Sequence, residues 1–349
     1  MRADFSVIEG AYLRDILDQP RALEETLAGL KVSKELRQLA AELQHGKFKT
    51  VVLTGMGSSF HALHPLNIEL INQGLTAIMV ETSELLHYQS RLLDSSNLII
   101  AVSQSGQSAE VVRLLEMNRG KSSLIAVTNT AESPLAERAN ATILTQAGQE
   151  FSVSCKTYVT GLMALQWLGD VICDRDLQRT QQELEHASPA VRDYLSRWKQ
   201  YVRDLSLMLA GTRHLFLVGR GSSLAAVGTG ALTVKESDHF HAEGMSSAAF
   251  RHGPLEMLSD ETFVLVFTGD EKTRELNQSL FEDVREKGGR TELIGAGATS
   301  SSCLLPSAPQ SAHPILEILP VQMVTLALAA QSGREAGRFE LASKVTTKE

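Results

Sequence analysis

The segment Val51–Ser59, VVLTGMGSS, returns 164 positions later as LFLVGRGSS at Leu215–Ser223. Each copy is a short β-rich run that ends on glycine and passes into Gly-Ser-Ser. A second pair of runs, Ala101-Val102-Ser103 and Val266-Phe267-Thr268, repeats at an offset of 165. Duplication of one domain explains two matched segments at nearly one offset, and 349 residues suffice for two domains. Within each copy, short β-rich runs alternate with helix-length segments. The first copy offers Val51–Thr54, Ala77–Val80, Leu98–Val102, Leu124–Val127 and Ala141–Leu144; the second offers Leu215–Gly219, Phe263–Phe267, Glu292–Ile294 and Ile315–Ile318. That alternation predicts an α/β fold with parallel sheets covered by helices on both faces. Ahead of the first copy, Leu13, Ile16, Leu17 and then Leu36, Leu39, Ala40, Leu43 recur at helical spacing. The expected organisation is a helical segment over 1–45, a first domain over 46–170, a helical connector over 171–210 and a second domain over 211–349.

Composition narrows the function. Apolar residues make up 43% and charged residues 21%, which fits a packed globular chain and excludes disorder. Net charge is −8 and no Lys/Arg run occurs, which argues against nucleic-acid binding. The longest apolar runs read as strand-sized, short of the roughly 18 residues of a membrane helix. Met1-Arg2-Ala3-Asp4 lacks the apolar stretch of a signal peptide. Cys155, Cys173 and Cys303 are scattered, with no C-x-x-C. The expectation is reduced thiols in the cytoplasm, with no metal site and no cofactor.

In an open parallel sheet, ligands sit beyond the carboxyl ends of the strands, at the switch point. Two loops of the first copy end strands there: Gly55-Met56-Gly57-Ser58-Ser59 and Ser103-Gln104-Ser105-Gly106-Gln107-Ser108. Both lead into helix-compatible sequence. Free N–H groups at a helix start, together with serine hydroxyls, suit a phosphate monoester. Ser58-Ser59 alone is equally readable as helix capping. A dinucleotide site is disfavoured, because Phe60 stands where G-x-G-x-x-G needs its third glycine. The second copy carries Lys235-Glu236, His241-Ala-Glu243 and Arg251-His252-Gly253-Pro254. A carboxylate and a histidine suit proton transfer between C1 and C2 of a sugar and the opening of its ring. On spacing alone, Glu236 is equally a solvated helix residue and His252 a turn residue.

Taken together, these segments resemble the SIS (sugar isomerase) family, in particular its tandem-domain members. Gly57-Ser58-Ser59, Ser103–Gly106, Ser154-Cys155-Lys156-Thr157, Lys235-Glu236, His241-Ala-Glu243, Arg251–Pro254 and Leu341–Thr346 carry the likeness in order. The resemblance implies two flavodoxin-like domains, each a doubly wound five-stranded parallel sheet. It implies a phosphosugar held by Gly57, Ser58, Ser59, Ser103, Gln104, Ser105, Ser108 and Ser154. It implies Glu236 as the C1/C2 proton-transfer base and His252 as the ring-opening group, supplied across a homodimer with shared sites. The N-terminal helices, with Glu9, Tyr12 and Arg14, are expected to pack across that dimer. A tail lysine would form a Schiff base with the open-chain sugar; here Ser343 holds the family's lysine position and Lys344 follows it. The family's aminotransferases carry a glutaminase domain, which these 349 residues leave no room for. Thr229, Thr233 and Ala249 stand where those enzymes have an acid, a lysine and an acid. The expected reaction is isomerisation of a 6-phosphorylated sugar or amino sugar coupled to release of ammonia or an amine. A plain aldose–ketose isomerase and a non-catalytic phosphosugar sensor are the rival readings. Met79, Met117, Met163, Met208, Trp167 and Trp198 read as packing residues, and Cys155 as a buried thiol.

Overall fold

A computed structural model describes residues 5–341 and 343–346. The chain forms two compact units. One comprises Arg21–Glu150, Lys156–His186 and Leu341–Glu349; the other comprises Met1–Pro20, Phe151–Cys155 and Ala187–Glu340.

The first of these holds a five-stranded sheet: β1 Thr50–Gly55, β2 Ala77–Glu81, β3 Asn97–Val102, β4 Ser123–Thr128 and β5 Ala141–Leu144. The order is β2-β1-β3-β4-β5 and every pair is parallel. Every residue of β3 is buried, as expected of a central parallel strand sandwiched between helices. Alternate residues Val52, Ile99, Ala101, Leu124 and Ala126 pack with Val111, Leu114 and Leu115 of the helix Ala109–Asn118. Ser33 starts the helix Lys34–Gln44 by accepting from the Leu36 amide at 3.0 Å. That helix buries Leu36, Leu39, Ala40 and Leu43, the set its periodicity picked out. The helix Lys156–Ile172 is buried on nearly all sides.

The second unit holds β6 His214–Gly219, β7 Ala242–Ser246, β8 Thr262–Phe267 and β9 Arg290–Ile294 in the parallel order β7-β6-β8-β9. This repeats the order of the first four strands of the other sheet, as the sequence repeat requires. Its sheet has four strands among the described residues, where five were expected. Ile315–Ile318 is helical: His313–Glu317 and Leu319–Ser332 are helices, with Pro314 and Pro320 in their first turns. Proline is well placed there, because those N–H groups need no partner within the helix. A short apolar run does not by itself separate strand from buried helix. By length and composition the stretch Gln310–Ser332 is apolar enough to cross a membrane, a match the strand-sized reading overlooked. Here 89% of its most apolar window is buried inside the protein, so it serves as a core helix. Strand β7 was unexpected, since Ala-Glu-Gly-Met-Ser carries no β-branched residue. It forms by pairing with β6, Leu215 opposite Ala242.

Tyr12 corrects a second expectation. It is 1% exposed, and its hydroxyl accepts from Thr325 Oγ1 at 3.2 Å. The paired amides of Gln19 and Gln322, at 2.9 and 3.0 Å, make a second link from this part of the chain to the helix Leu319–Ser332. Of the methionines expected in the core, only Met163 is fully buried; Met79, Met117 and Met208 are half-buried.

The crevice beyond β6 and β8 is filled from within. Ser223 is fully buried and donates to Glu317 Oε1 at 2.6 Å. Asn277 Nδ2 donates to the Thr268 carbonyl at 3.3 Å, and Ser247 Oγ donates to Asn277 Oδ1 at 2.8 Å. Burial pushes the Glu317 carboxyl up to about 7; the Ser223 bond opposes this and the Asp270 charge adds to it. The folded state therefore keeps a proton that the unfolded chain releases above about 4.5. This group's contribution is fully present below that value and is lost as pH rises toward 7, a change of about 3 kcal/mol. Glu317→Gln keeps an acceptor for Ser223 and abolishes the titration. Thermal melts across this window should show the wild type losing stability relative to E317Q as pH rises. Parallel curves would mean that Glu317 ionises as an ordinary carboxyl.

Candidate functional site

In the five-stranded unit, β1 and β3 are neighbours in register, Gly55 beside Val102. The loops that follow them leave the same edge, at the switch point of the sheet order. A Cβ at Gly55 would lie 3.0 Å from the Val102 carbonyl and 3.1 Å from the Phe60 amide, so a side chain there would force this backbone apart. Gly57 then turns the chain at φ +53° into the helix Gly57–His61. Ser58 and Ser59 lie inside that helix. Its N-cap is Met56, so the serines do not cap it. Gly57, Ser58 and Ser59 are all half-buried.

The β3 loop is braced from below. The Gln104 carbonyl accepts from the Asn129 amide at 3.1 Å and from the hydroxyls of Thr128 at 3.2 Å and Thr130 at 3.3 Å. Gly106 takes φ +62°, and a Cβ there would overlap Ser133 Oγ at 2.2 Å. Ser103 Oγ accepts from the Gly106 amide at 3.1 Å, and Ser105 Oγ from the Gln107 amide at 3.3 Å. Each of these hydroxyls keeps its own proton to donate. Both serines are 8% exposed. Ser108 is the N-cap of the helix Ala109–Asn118, yet its side chain makes no capping bond. The arrangement gathers Ser103, Gln104, Ser105 and Ser108 in one rigid turn, next to the turn that holds Ser58 and Ser59. Such a set can donate several hydrogen bonds to an anion at the positive end of a ten-residue helix.

The sequence reading missed two histidines beside this turn. His61 and His64 stack with ring centroids 6.4 Å apart and planes 8° from parallel. Burial holds the His64 ring below the usual imidazole range. The signal was present as His-x-x-His one residue after Gly-Ser-Ser.

The tail also belongs to this unit. Lys344 Nζ lies 2.7 Å from Glu150 Oε2, a carboxylate with no exposed side-chain surface. Glu150 also accepts from the Thr157 amide at 3.0 Å and hydroxyl at 2.7 Å. The Thr346 carbonyl accepts from the Ala109 amide at 3.1 Å, the first residue of the helix that Ser108 caps. Lys344 is thus paired with a buried carboxyl group. Ser343 donates to the Val345 carbonyl at 2.8 Å, and Ala342 lies outside the described residues. Lys156 is buried and donates to the Gln149 carbonyl at 2.9 Å.

The remaining predicted residues lie in the four-stranded unit. Glu236 is half-buried in the last turn of the helix Leu224–Asp238. The Tyr12 phenol is pushed well up, first by burial and then by Cys155, with smaller contributions from Asp238 and Glu236. Thr229 and Thr233 are buried, at 0% and 3% exposure. His252 ends the helix Ser247–Arg251 and is exposed, just before Gly253 at φ +139°. Ser154 is half-buried and Cys155 fully buried. Burial pushes the Cys173 thiol up to about 11 and the Cys303 thiol up to about 12, so neither is poised as a nucleophile.

These paired sheets and serine-bearing turns define a tandem sugar-isomerase-type protein. The SIS domain family matches residues 42–169 and 208–332, and the chain belongs to that family. Glutamine–fructose-6-phosphate aminotransferase from Pyrococcus horikoshii is 29% identical over 346 residues, covering 96% of this chain and 57% of the relative. The chain thus spans a little over half the length of that relative. A proposed phosphosugar isomerase from Silicibacter pomeroyi DSS-3 has a TM-score of 0.77 at 28% identity, covering 93% of this chain and 99% of that one. Glucosamine-6-phosphate deaminase from Thermotoga maritima has a TM-score of 0.77 at 17% identity, covering 97% and 100%, a likeness of fold.

Glu150→Gln removes the charge that holds Lys344. Hydrogen exchange at the Ala109 amide, which bonds the tail at Thr346, should then accelerate by about one to two orders of magnitude. Unchanged protection would show that the tail is fastened without this pair.

Proposed function

We propose that the protein is an enzyme acting on a 6-phosphorylated amino sugar, joining isomerisation to release of ammonia or an amine. The observation that carries the reading is the rigid turn that presents Ser103, Gln104, Ser105 and Ser108 beside Ser58 and Ser59. Membership of the SIS family supports the phosphosugar class, and the Thermotoga deaminase shares the fold. In this reading the serine turns, with Ser154, hold the phosphosugar. Glu236 removes the proton from C2 of the open-chain amino sugar and returns it to C1, which leaves a C2 imine. Water adds to that imine, the C–N bond breaks, and the nitrogen departs with a proton as ammonia or a free amine. His252 assists ring opening, in a homodimer with shared sites and in a cytoplasmic setting. The imine arises from the substrate's own nitrogen, so no lysine adduct is required.

Lys344 favours a second reading over the Schiff-base route. Its Nζ is engaged by Glu150 at 2.7 Å, a contact that attack on a sugar carbonyl would have to break. A plain aldose–ketose isomerase needs no such nucleophile, and Lys344→Ala would leave its chemistry intact.

Proton NMR in D₂O with hexose, aminohexose and fructosamine 6-phosphates separates these readings. Exchange at C1 or C2 with amine release supports the proposal, and exchange without release selects the plain isomerase. Binding without exchange would make the protein a sensor. Glu236→Gln should lower exchange by about 10²- to 10⁴-fold; retained exchange would remove Glu236 from the mechanism. His252→Gln should slow turnover of ring-form sugar more than exchange on open-chain sugar.

A further inference from the structure

Two histidines face each other at the amino ends of β6 and β7. His214 opens β6 and His241 immediately precedes β7. Parallel pairing sets Leu215 opposite Ala242, and the Leu215 amide donates to the His241 carbonyl at 3.1 Å. The two imidazoles therefore stand at matching positions on adjacent strands. Their Nδ1 atoms lie 3.2 Å apart, and the rings meet edge to face with centroids 5.1 Å apart. His241 Nε2 lies 3.5 Å from Glu243 Oε1, and both of these side chains are close to half exposed. Arg213, the nearest cation in sequence, is paired with Glu261 at 3.0 Å. This edge lies at the opposite end of the sheet from the strand ends where ligands of such folds bind.

We propose that His214 and His241 form an exchangeable site for a divalent transition metal, with both Nδ1 atoms as ligands. Two nitrogens each about 2.05 Å from one ion subtend about 100° at this separation, close to tetrahedral. One proton now shared between the two Nδ1 atoms is displaced to solvent when the ion enters. Glu243, 3.5 Å from His241 Nε2, takes the carboxylate position behind a metal-bound histidine and orients the ring. No group of three or more His, Cys, Asp or Glu among the described residues is placed to hold a metal ion, so water completes the coordination. Imidazole nitrogens select Zn²⁺, Ni²⁺ or Cu²⁺ over Mg²⁺. Two protein ligands on backbone already fixed by strand pairing give affinity without a folding cost, but weaker than a closed structural site.

The test is calorimetric titration of the untagged full chain with Ni²⁺, Zn²⁺ and Mg²⁺, with thermal melts in parallel. One saturable Ni²⁺ or Zn²⁺ site per chain is expected, with no Mg²⁺ response and a raised melting temperature. His214→Gln and His241→Gln should each weaken binding at least about tenfold, and Glu243→Gln should weaken it about tenfold. Melting temperatures of the three variants without metal should match the wild type, which separates lost ligation from lost folding. Cys173→Ser should bind as the wild type does. Absence of saturable binding, binding undiminished in H214Q and H241Q, or loss confined to C173S would each overturn the proposal.

Discussion

Each sheet turns on a glycine at the end of its central β-rich run. At Gly55 the neighbouring Val102 carbonyl and the Phe60 amide come within about 3 Å of where a Cβ would be. At Gly219 the Phe267 and Ser223 side chains come within 3.2 and 3.3 Å of the equivalent point. These close approaches let the helix after each strand start directly over the sheet edge. The second glycine of each motif takes a left-handed conformation, φ +53° at Gly57 and +60° at Gly221. Without that geometry neither pair of serines would stand at a switch point.

From this common frame the two copies diverge through their side chains. At the first, Ser58 and Ser59 remain half-exposed, and the β3 loop keeps its polar side chains grouped on a backbone fixed by Thr128, Thr130 and Asn129. At the second, Ser223 has turned inward to donate to Glu317, and Asp270 stands where the first copy has Ser105. The Glu317 carboxyl engages the Ser223 hydroxyl, which is then not offered to a ligand.

The repeat, the five strands of the first copy and the loop composition were legible because they rest on local patterns: glycine at a fixed register, apolar runs of strand length, serines in tight turns. Ile315–Ile318 was misread because a four-residue apolar run fits either element, and the decisive prolines lie outside it. Strand β7 was invisible because its pairing energy comes from β6 and its own residues are weak strand formers. Tyr12 was assigned to a dimer contact because an amphipathic helix does not announce which partner it covers; Thr325 is 313 residues away. The pairing of Lys344 with Glu150 joins positions 194 apart and has no local signature.

The sequence alone determined that the chain holds two related α/β domains and that the first carries a serine-rich, anion-suited pair of turns. Those conclusions follow from backbone sterics and hydrophobic period, which act over a few residues. The tertiary structure decided which serines stay available, since Ser223 is buried against Glu317 while Ser58 and Ser59 are not. It also decided that Lys344 meets a carboxylate, and that His214 and His241 meet each other. Burial and distance between remote residues set these outcomes, because the free energy of a charge or a hydroxyl depends on what surrounds it in space.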